Sequence, residues 1–429
     1  MNEPPHVPSS IRRVAIASFI GTTIEWYDFF LYGTASALIF GKLFFPTFEP
    51  LTGTLAAFGT YAVGFVARPI GGIVCGHFGD RVGRKSMLVL TLLIMGVATF
   101  MIGVLPTYER IGVWAPILLV ALRFAQGFGI GGEWGGAVLM AVEHSPPGRR
   151  GFYGSWPQVG VPAGLLLATL VFRQISKLPE EQLLAWGWRL GFLISIVLVA
   201  VGLFIRLAIV EPPVFAQIKE RSSAPVLDAL RHHPKSVLLA MGARLAENGA
   251  FYLFTTFVLT YATQDRIGFS KADVLAAVSL AAAIELVAIP AYGALSDRIG
   301  RRPVYLFGAI VTGVFAFPYF WLLDSARPAL LLPAVLPPLI FGHAAMYGPQ
   351  ASFFSELFGT KVRYSGASLG YQLASVIAGG LSPIVAIELL HRTHASWPIA
   401  LLIAGMAAIT ILAVWLAAET AHHDIASRD

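Results

Sequence analysis

Apolar runs of roughly 20 residues, separated by short polar loops, recur along the whole chain, and each is long enough to cross the hydrocarbon core of a bilayer as one helix. They fall near residues 14–40, 53–77, 87–105, 114–142, 151–172, 187–209, 236–261, 272–294, 304–323, 329–352, 364–389 and 397–418, which predicts twelve spans. Composition argues against a soluble globule. Only 13% of the side chains are charged, about half the soluble share, and the mean hydropathy is +0.71. A single cysteine excludes a disulfide framework or a Cys-based metal site. A pI near 9.4 raises the question of nucleic acid, but the basic residues come in twos and threes between apolar runs, not in one stripe. The basic start at Ile11-Arg12-Arg13 is followed by a run too long for a signal peptide and without a small-residue cleavage site, so it is read as the first helix.

The small basic clusters set the orientation. With both termini in the cytoplasm, 17 Lys and Arg lie inside and eight outside, the asymmetry expected of inner loops.

The chain also repeats itself. Gly76-His77-Phe78-Gly79-Asp80-Arg81-Val82-Gly83-Arg84-Lys85 after the second span recurs as Gly293-Ala294-Leu295-Ser296-Asp297-Arg298-Ile299-Gly300-Arg301-Arg302 after the eighth. Glu25 to Leu31 likewise resembles Glu247 to Leu253, and Glu143 followed by Arg149 parallels Glu356 followed by Arg363. This predicts a duplicated six-helix unit: residues 1–210, a cytoplasmic linker at 211–234 carrying Pro212, Pro213 and mixed charge, and residues 235–429. Two like-oriented bundles place a site between them near the midplane, as in transporters.

The two motif copies, with Arg123-Phe124-Ala125-Gln126-Gly127-Phe128-Gly129, resemble the major facilitator superfamily over the whole chain. Within it, Ile24 to Phe29, Arg68 to Gly72, Gly132 to Gly136, Gly187 to Arg189 and Arg363 to Gln372 resemble the metabolite:proton symporters, the shikimate permease branch more than the α-ketoglutarate, citrate or proline/betaine branches. The resemblance implies an all-α membrane protein of the major facilitator fold, with twelve helices in two pseudo-symmetric halves. It implies a monomer in the cell inner membrane that imports a small organic acid, such as shikimate or another carboxylate, with protons by alternating access. No cofactor beyond the coupling proton is implied, and neither an enzyme nor a metal site. Proton-driven efflux of organic anions or drugs and uptake of proline or betaine stay as alternatives. The osmosensing branch typically ends in a long coiled-coil tail, whereas only Glu419 to Asp429 follow the last span here, and helix five lacks the antiporter signature.

Charges inside the spans select the candidate residues, because each costs about 2.5–3.5 kcal/mol on insertion scales. At 1.5 Å per residue, Glu25 and Asp28 lie roughly 17–21 Å into helix one and Arg123 roughly 14 Å into helix four, while Arg68 is roughly 18 Å from Asp80. Asp28 is expected to titrate while facing Arg123, or else to form a permanent structural pair with it. Glu25, Glu133 and Glu285 are further proton-coupling candidates, Glu133 also as a gating partner. Arg68 and Glu285 occupy corresponding positions in the repeat. Either they attract one another, or Arg68 binds an anion while Glu285 titrates. Arg244 and Glu247, three apart, bind substrate or neutralise each other. Tyr27, Tyr32, Trp156, Gln158, Tyr347, Gln350, Tyr371 and Gln372 are polar groups from helices that line the superfamily's cavity. His343 is read as a satisfied core histidine rather than a proton relay. The repeated motif and its partners, Asp80, Arg81, Arg84, Glu143, Asp297, Arg298 and Arg301, resemble the superfamily's cytoplasmic gate, in which the aspartate meets a helix N-terminus across the halves and the arginine meets an acid. Gly127 to Gly132 satisfies GxGxxG, but it lies inside an apolar span with no strand before it and is not a nucleotide site.

Overall fold

A computed structural model describes residues 11–82, 84–132, 134–143, 145–146, 148–208, 230–358 and 363–421, and their regular structure is entirely helical. A backbone in hydrocarbon must satisfy its own N–H and C=O groups, and a helix does so within one segment. The first six rods are α1 (Ile11–Ala35, continuing through a π turn at Ser36–Phe40 to Phe44), α2 (Pro50–Val82), α3 (Arg84–Val104), α4 (Trp114–Gly131, resuming at Trp134–Glu143), α5 (Arg150–Ile175) and α6 (Glu180 to Ala208). The last six are α7 (Pro234–Tyr252, continuing to Ala262), α8 (Lys271–Ile299), α9 (Arg301–Asp324), α10 (Pro328 to Glu356), α11 (Arg363 to Thr393) and α12 (Trp397–Leu416). α7, α10 and α11 also contain π turns, at Leu253–Phe257, Pro338–His343 and Ser375–Gly380.

Nine candidate spans among the described residues are long and apolar enough to cross a membrane. α1 and α7 are not among them because they carry the charges that interest us, and the apolar part of α3, Val89–Val104, is short. Large apolar side chains such as Phe204, Val287, Val314, Trp321 and Trp415 point outward, as a surface solvated by lipid requires. The expected linker lies, up to residue 229, outside the described residues.

Two expectations about boundaries are corrected. The motif segments read as loops are largely helical: α2 runs through Asp80 and Arg81 to Val82, and α8 runs through Asp297 to Ile299. In the second copy the chain reverses at one residue, Gly300, whose φ of +104° favours glycine. Helix four, read as continuous, is interrupted after Gly131, where Gly132 forms a turn.

The discarded GxGxxG run has a packing role. A Cβ added to Gly127 would lie 2.0 Å from the Gly64 carbonyl oxygen, and one on Gly131 would lie 1.9 Å from that of Arg68. α2 and α4 therefore touch backbone to backbone, as small residues permit in membranes. The same contact leaves room for Arg123, whose Nε would meet a Cβ on Gly64 at 2.6 Å. α5 packs along α1 on one side and along α8 on the other, forming the main seam between the first and last six helices.

This geometry predicts a graded response to added methyl groups. Gly127→Ala and Gly131→Ala must part α2 from α4, and overpacking on the order of 1–3 kcal/mol should lower the unfolding temperature in detergent. Gly405→Ala, which has nothing within 4 Å of the new carbon, should leave it unchanged.

Candidate functional site

Two guanidinium groups define the interior of the first six helices. Arg68 of α2 and Arg123 of α4 are both fully buried, and among the described residues neither is paired with a carboxylate. Each instead faces aromatic rings. The Phe29 ring lies between them, 4.3 Å from the Arg68 carbon and 4.2 Å from that of Arg123. Phe65 and Trp26 complete the surround of Arg68 at 4.4 and 5.2 Å, and Tyr32 and Tyr61 that of Arg123 at 4.3 and 4.8 Å. Among the described residues the Nε and Nη2 of both arginines have no acceptor. Desolvated cation–π contacts are worth about 2 kcal/mol each, whereas burying an ion costs several. The arrangement is left short of negative charge.

Asp28 does not supply that charge directly, which corrects the expected contact with Arg123. Two side chains intervene. Arg123 Nη1 donates to Gln126 Oε1 at 3.0 Å, Gln126 Nε2 donates to Thr99 Oγ1 at 2.7 Å, and Thr99 Oγ1 lies 3.0 Å from Asp28 Oδ2. Thr99 has one proton and two acceptors in reach, Asp28 and the Met95 carbonyl oxygen at 2.9 Å, so its bond can switch with the charge on Asp28. Equal depth along two helices was sufficient to bring the residues near, but not to make them touch.

Between the first and last six helices a narrow cavity is lined by Glu25, Trp26, Arg68, Trp134, Tyr371 and Gln372, among others. Trp134 stacks on Tyr371 at 3.6 Å and donates its Nε1 to Gln158 Oε1 at 3.2 Å. Gln372 Nε2 lies 3.4 Å from the Gly131 carbonyl oxygen. Gln158 Nε2, Gln372 Oε1 and Trp156 Nε1 have unspent hydrogen-bonding capacity. Tyr27 faces elsewhere, since its hydroxyl donates to the Gly191 carbonyl oxygen of α6 at 2.7 Å. The Tyr32 hydroxyl is held by Thr60 at 2.6 Å, leaving its ring to face Arg123.

The last six helices hold a compensated cluster instead. Arg244 and Glu247 of α7 pair at 2.7 Å, and Gln350 of α10 joins both at 2.8 Å while also donating to Tyr305 Oη. Arg244 lies against the Tyr371 ring at 3.2 Å. Of the two readings of Arg244 and Glu247, mutual neutralisation is the one the contacts realise, and Gln350 belongs to that network rather than to the cavity wall. Glu285 of α8 does not reach Arg68, so the attraction considered for those two is also corrected. Its partner is His343 of α10 at 2.5 Å, and the same imidazole meets Glu247 at 3.4 Å between the rings of Phe251 and Tyr347. Sequence reading took His343 as a satisfied core histidine, and the structure buries it between two carboxylates. A lone histidine has no neighbour in the sequence to betray its partners, although two glutamates at similar depth in other helices were a usable hint.

At the motif end of the bundle, Asp297 accepts from the backbone N–H groups of Gly151 and Phe152 at 2.7 and 2.9 Å. It thus caps the N-terminus of α5 from the other bundle, where the helix dipole favours an anion. Arg301 holds Asp297 at 2.7 Å and forms two bonds to Glu356 at 3.1 and 3.2 Å. Arg298 is exposed. The side chains of Asp80, Arg81, Arg84 and Glu143, and residue Glu133 altogether, lie outside the described residues.

One participant here was not foreseen. The Glu419 carboxylate accepts from the backbone N–H groups of Arg301 at 2.8 Å and Arg302 at 3.0 Å, and its neighbour Thr420 donates to Glu356 at 2.6 Å. Residues beyond the last span therefore fasten the start of α9 and the partner of Arg301. Partial burial raises the Glu419 pKa, but four backbone N–H bonds outweigh that and hold it below the usual carboxylate range. A depressed pKa means that the charged cap stabilises the fold above the unfolded-state pKa and is lost as pH falls through the folded one. Glu419→Gln should therefore lower the unfolding temperature in detergent at neutral pH, and its difference from the unmodified protein should shrink as the pH is brought below the carboxylate range.

Comparison with known proteins accords with this geometry. Residues 18–383 match the model of the Major Facilitator Superfamily. The chain is 44% identical to the shikimate transporter of Escherichia coli (strain K12) over 395 residues, covering 91% of this chain and 90% of that one. It is 40% identical to the inner membrane metabolite transport protein YhjE of the same organism, covering 99% of this chain and 98% of that one. A solved structure of the proton:xylose symporter XylE bound to 6-bromo-6-deoxy-D-glucose superposes with a TM-score of 0.74 over 96% of both chains at 18% identity, a likeness of fold. The chain belongs to the major facilitator superfamily: it is a multi-pass membrane transporter and not an enzyme.

Proposed function

We propose that this transporter imports a small organic acid together with protons across the cell inner membrane, as a monomer of two six-helix halves that open alternately to either side. The observation that carries the reading is the pair of buried guanidinium groups, Arg68 and Arg123, whose Nε and Nη2 find no acceptor among the described residues. An anion entering between the halves would supply the charge the interior lacks, and the planar fork of arginine suits a carboxylate. Asp28 is the coupling acid: when ionised it competes, through Thr99 and Gln126, for the same positive charge, and when protonated it leaves that charge to the substrate. Glu25, beside Arg68 on the cavity wall, is the next candidate. The names of the two relatives support this reading, and shikimate is the first acid to test.

The aromatic rings argue against a betaine-like cation. Quaternary ammonium groups are recognised by aromatic faces, but here Trp26, Phe29, Tyr32, Tyr61 and Phe65 already face arginines. A substrate with net negative charge suits the site better.

In proteoliposomes with the membrane potential clamped at zero, shikimate should accumulate when the exterior is acid, should fail to do so with a protonophore, and should be indifferent to exchange of Na⁺ for K⁺. Strict Na⁺ dependence would overturn proton coupling. Arg123→Ala should weaken binding on the order of 10²-fold, as expected when a buried charge pair is lost, and Arg123→Lys should restore little of it. Each coupled proton contributes about tenfold to the accumulation ratio per pH unit of gradient. Asp28→Asn should reduce that ratio by this factor, and an unchanged ratio would assign the coupling acid elsewhere.

A further inference from the structure

The cluster formed by His343, Glu285 and Glu247 is counted here by protons. A neutral imidazole has one N–H donor and one lone-pair acceptor, whereas imidazolium has two donors. Both ring nitrogens of His343 face carboxylate oxygens, Nδ1 toward Glu285 at 2.5 Å and Nε2 toward Glu247 at 3.4 Å. Two carboxylates cannot both be satisfied by a neutral ring, because one would meet a lone pair. The geometry therefore contains one proton more than neutral histidine and two ionised glutamates provide, either on the second ring nitrogen or on a carboxyl group.

The surrounding charges tie that proton to the charge balance of the whole cluster. The titratable and charged groups around the ring are Arg244, Glu247 and Tyr252 on α7, Glu285 on α8, Tyr305 on α9, Tyr347 on α10 and Tyr371 on α11. Arg244 already neutralises Glu247, so His343 is not needed for that. Glu285 is fully buried, and among the described residues its other oxygen has no donor and the ring is its one charged partner. With the proton the cluster of Arg244, Glu247, Glu285 and His343 is neutral. Without it a single negative charge is left among three helices that must move as the halves rock, a charge that low dielectric penalises strongly. His343 also closes the π turn Pro338–His343, a helix defect frequent at functional sites.

We propose that His343, clamped between Glu285 and Glu247, forms a second proton-binding site besides Asp28, and that its proton crosses the membrane with the substrate. The proposal rests on the reading of this chain as a proton-coupled importer. Its binding half stands independently of that reading.

The site itself is tested on purified full-length protein in nanodiscs without substrate, labelled with ¹⁵N-histidine and followed by NMR from pH 5 to pH 10. The His343 resonances, identified by their loss in His343→Gln, should show one protonation step, and Glu285→Gln, which is nearly isosteric, should displace it by at least one pH unit. A ring whose signals do not change over that range, or a step unaffected by Glu285→Gln, would overturn the proposal whatever transport shows. Coupling is tested with shikimate in proteoliposomes at zero potential and one unit of pH gradient. Two coupled protons give a ratio of about 100-fold, reduced to about tenfold by Glu285→Gln. A normal step with an unaltered ratio would overturn cotransport of this proton. A normal step in a protein that accumulates no acid at all would uphold the binding site and reject the import reading instead.

Discussion

An ion in hydrocarbon must find a counter-ion, a proton or a way out, and this chain handles that constraint differently in its two sets of six helices. The first set buries two arginines among aromatic rings and keeps Asp28 two hydrogen-bonded side chains away from Arg123. The second set buries Arg244, two glutamates and a histidine in mutual contact. Among the described residues one interior holds two arginines out of direct contact with a carboxylate, and the other holds its arginine, glutamates and histidine in contact. A carrier of anions and protons needs both properties, since each species must be bound by something that its departure leaves unsettled.

The packing that creates these charge states also transmits them. Glycine contacts draw α2 against α4, fixing Arg68 and Arg123 around the ring of Phe29. α5 runs from the cavity to the motif end, where Asp297 caps its first turn. From there the bonds continue through Arg301 to Glu356, and through Thr420 and Glu419 back to the start of α9. Half of these contacts join backbone N–H groups at helix ends to carboxylates and the others join polar side chains, so the whole set can be broken by a small displacement and remade without rebuilding a core.

Much of this was legible in the sequence because bilayer thickness converts hydropathy into helix position. The resemblance of the two motif copies to the superfamily's gate implied an aspartate at a helix N-terminus and an arginine on an acid, and in the second copy Asp297 and Arg301 make contacts of those kinds. What sequence could not provide was side-chain facing: depth placed Asp28 and Arg123 at one level, yet Thr99 on a third helix decides whether they touch. The partners of His343 were not legible for a related reason, since they come from α7 and α8, about 100 and 60 residues away as the 343–247 and 343–285 separations show. Glu419 escaped because a residue past the last span shows no periodicity, and its role depends on two backbone N–H groups that any sequence would offer.

The central claim is that an organic anion and protons move through the same interior in the same direction. It is tested most directly with a pH electrode in a lightly buffered suspension of de-energised proteoliposomes, to which unlabelled shikimate is added outside. Cotransport predicts a transient alkalinisation of the medium that a protonophore collapses and that Arg123→Ala abolishes. Acidification of the medium, or measurable shikimate entry with no change in pH, would contradict it.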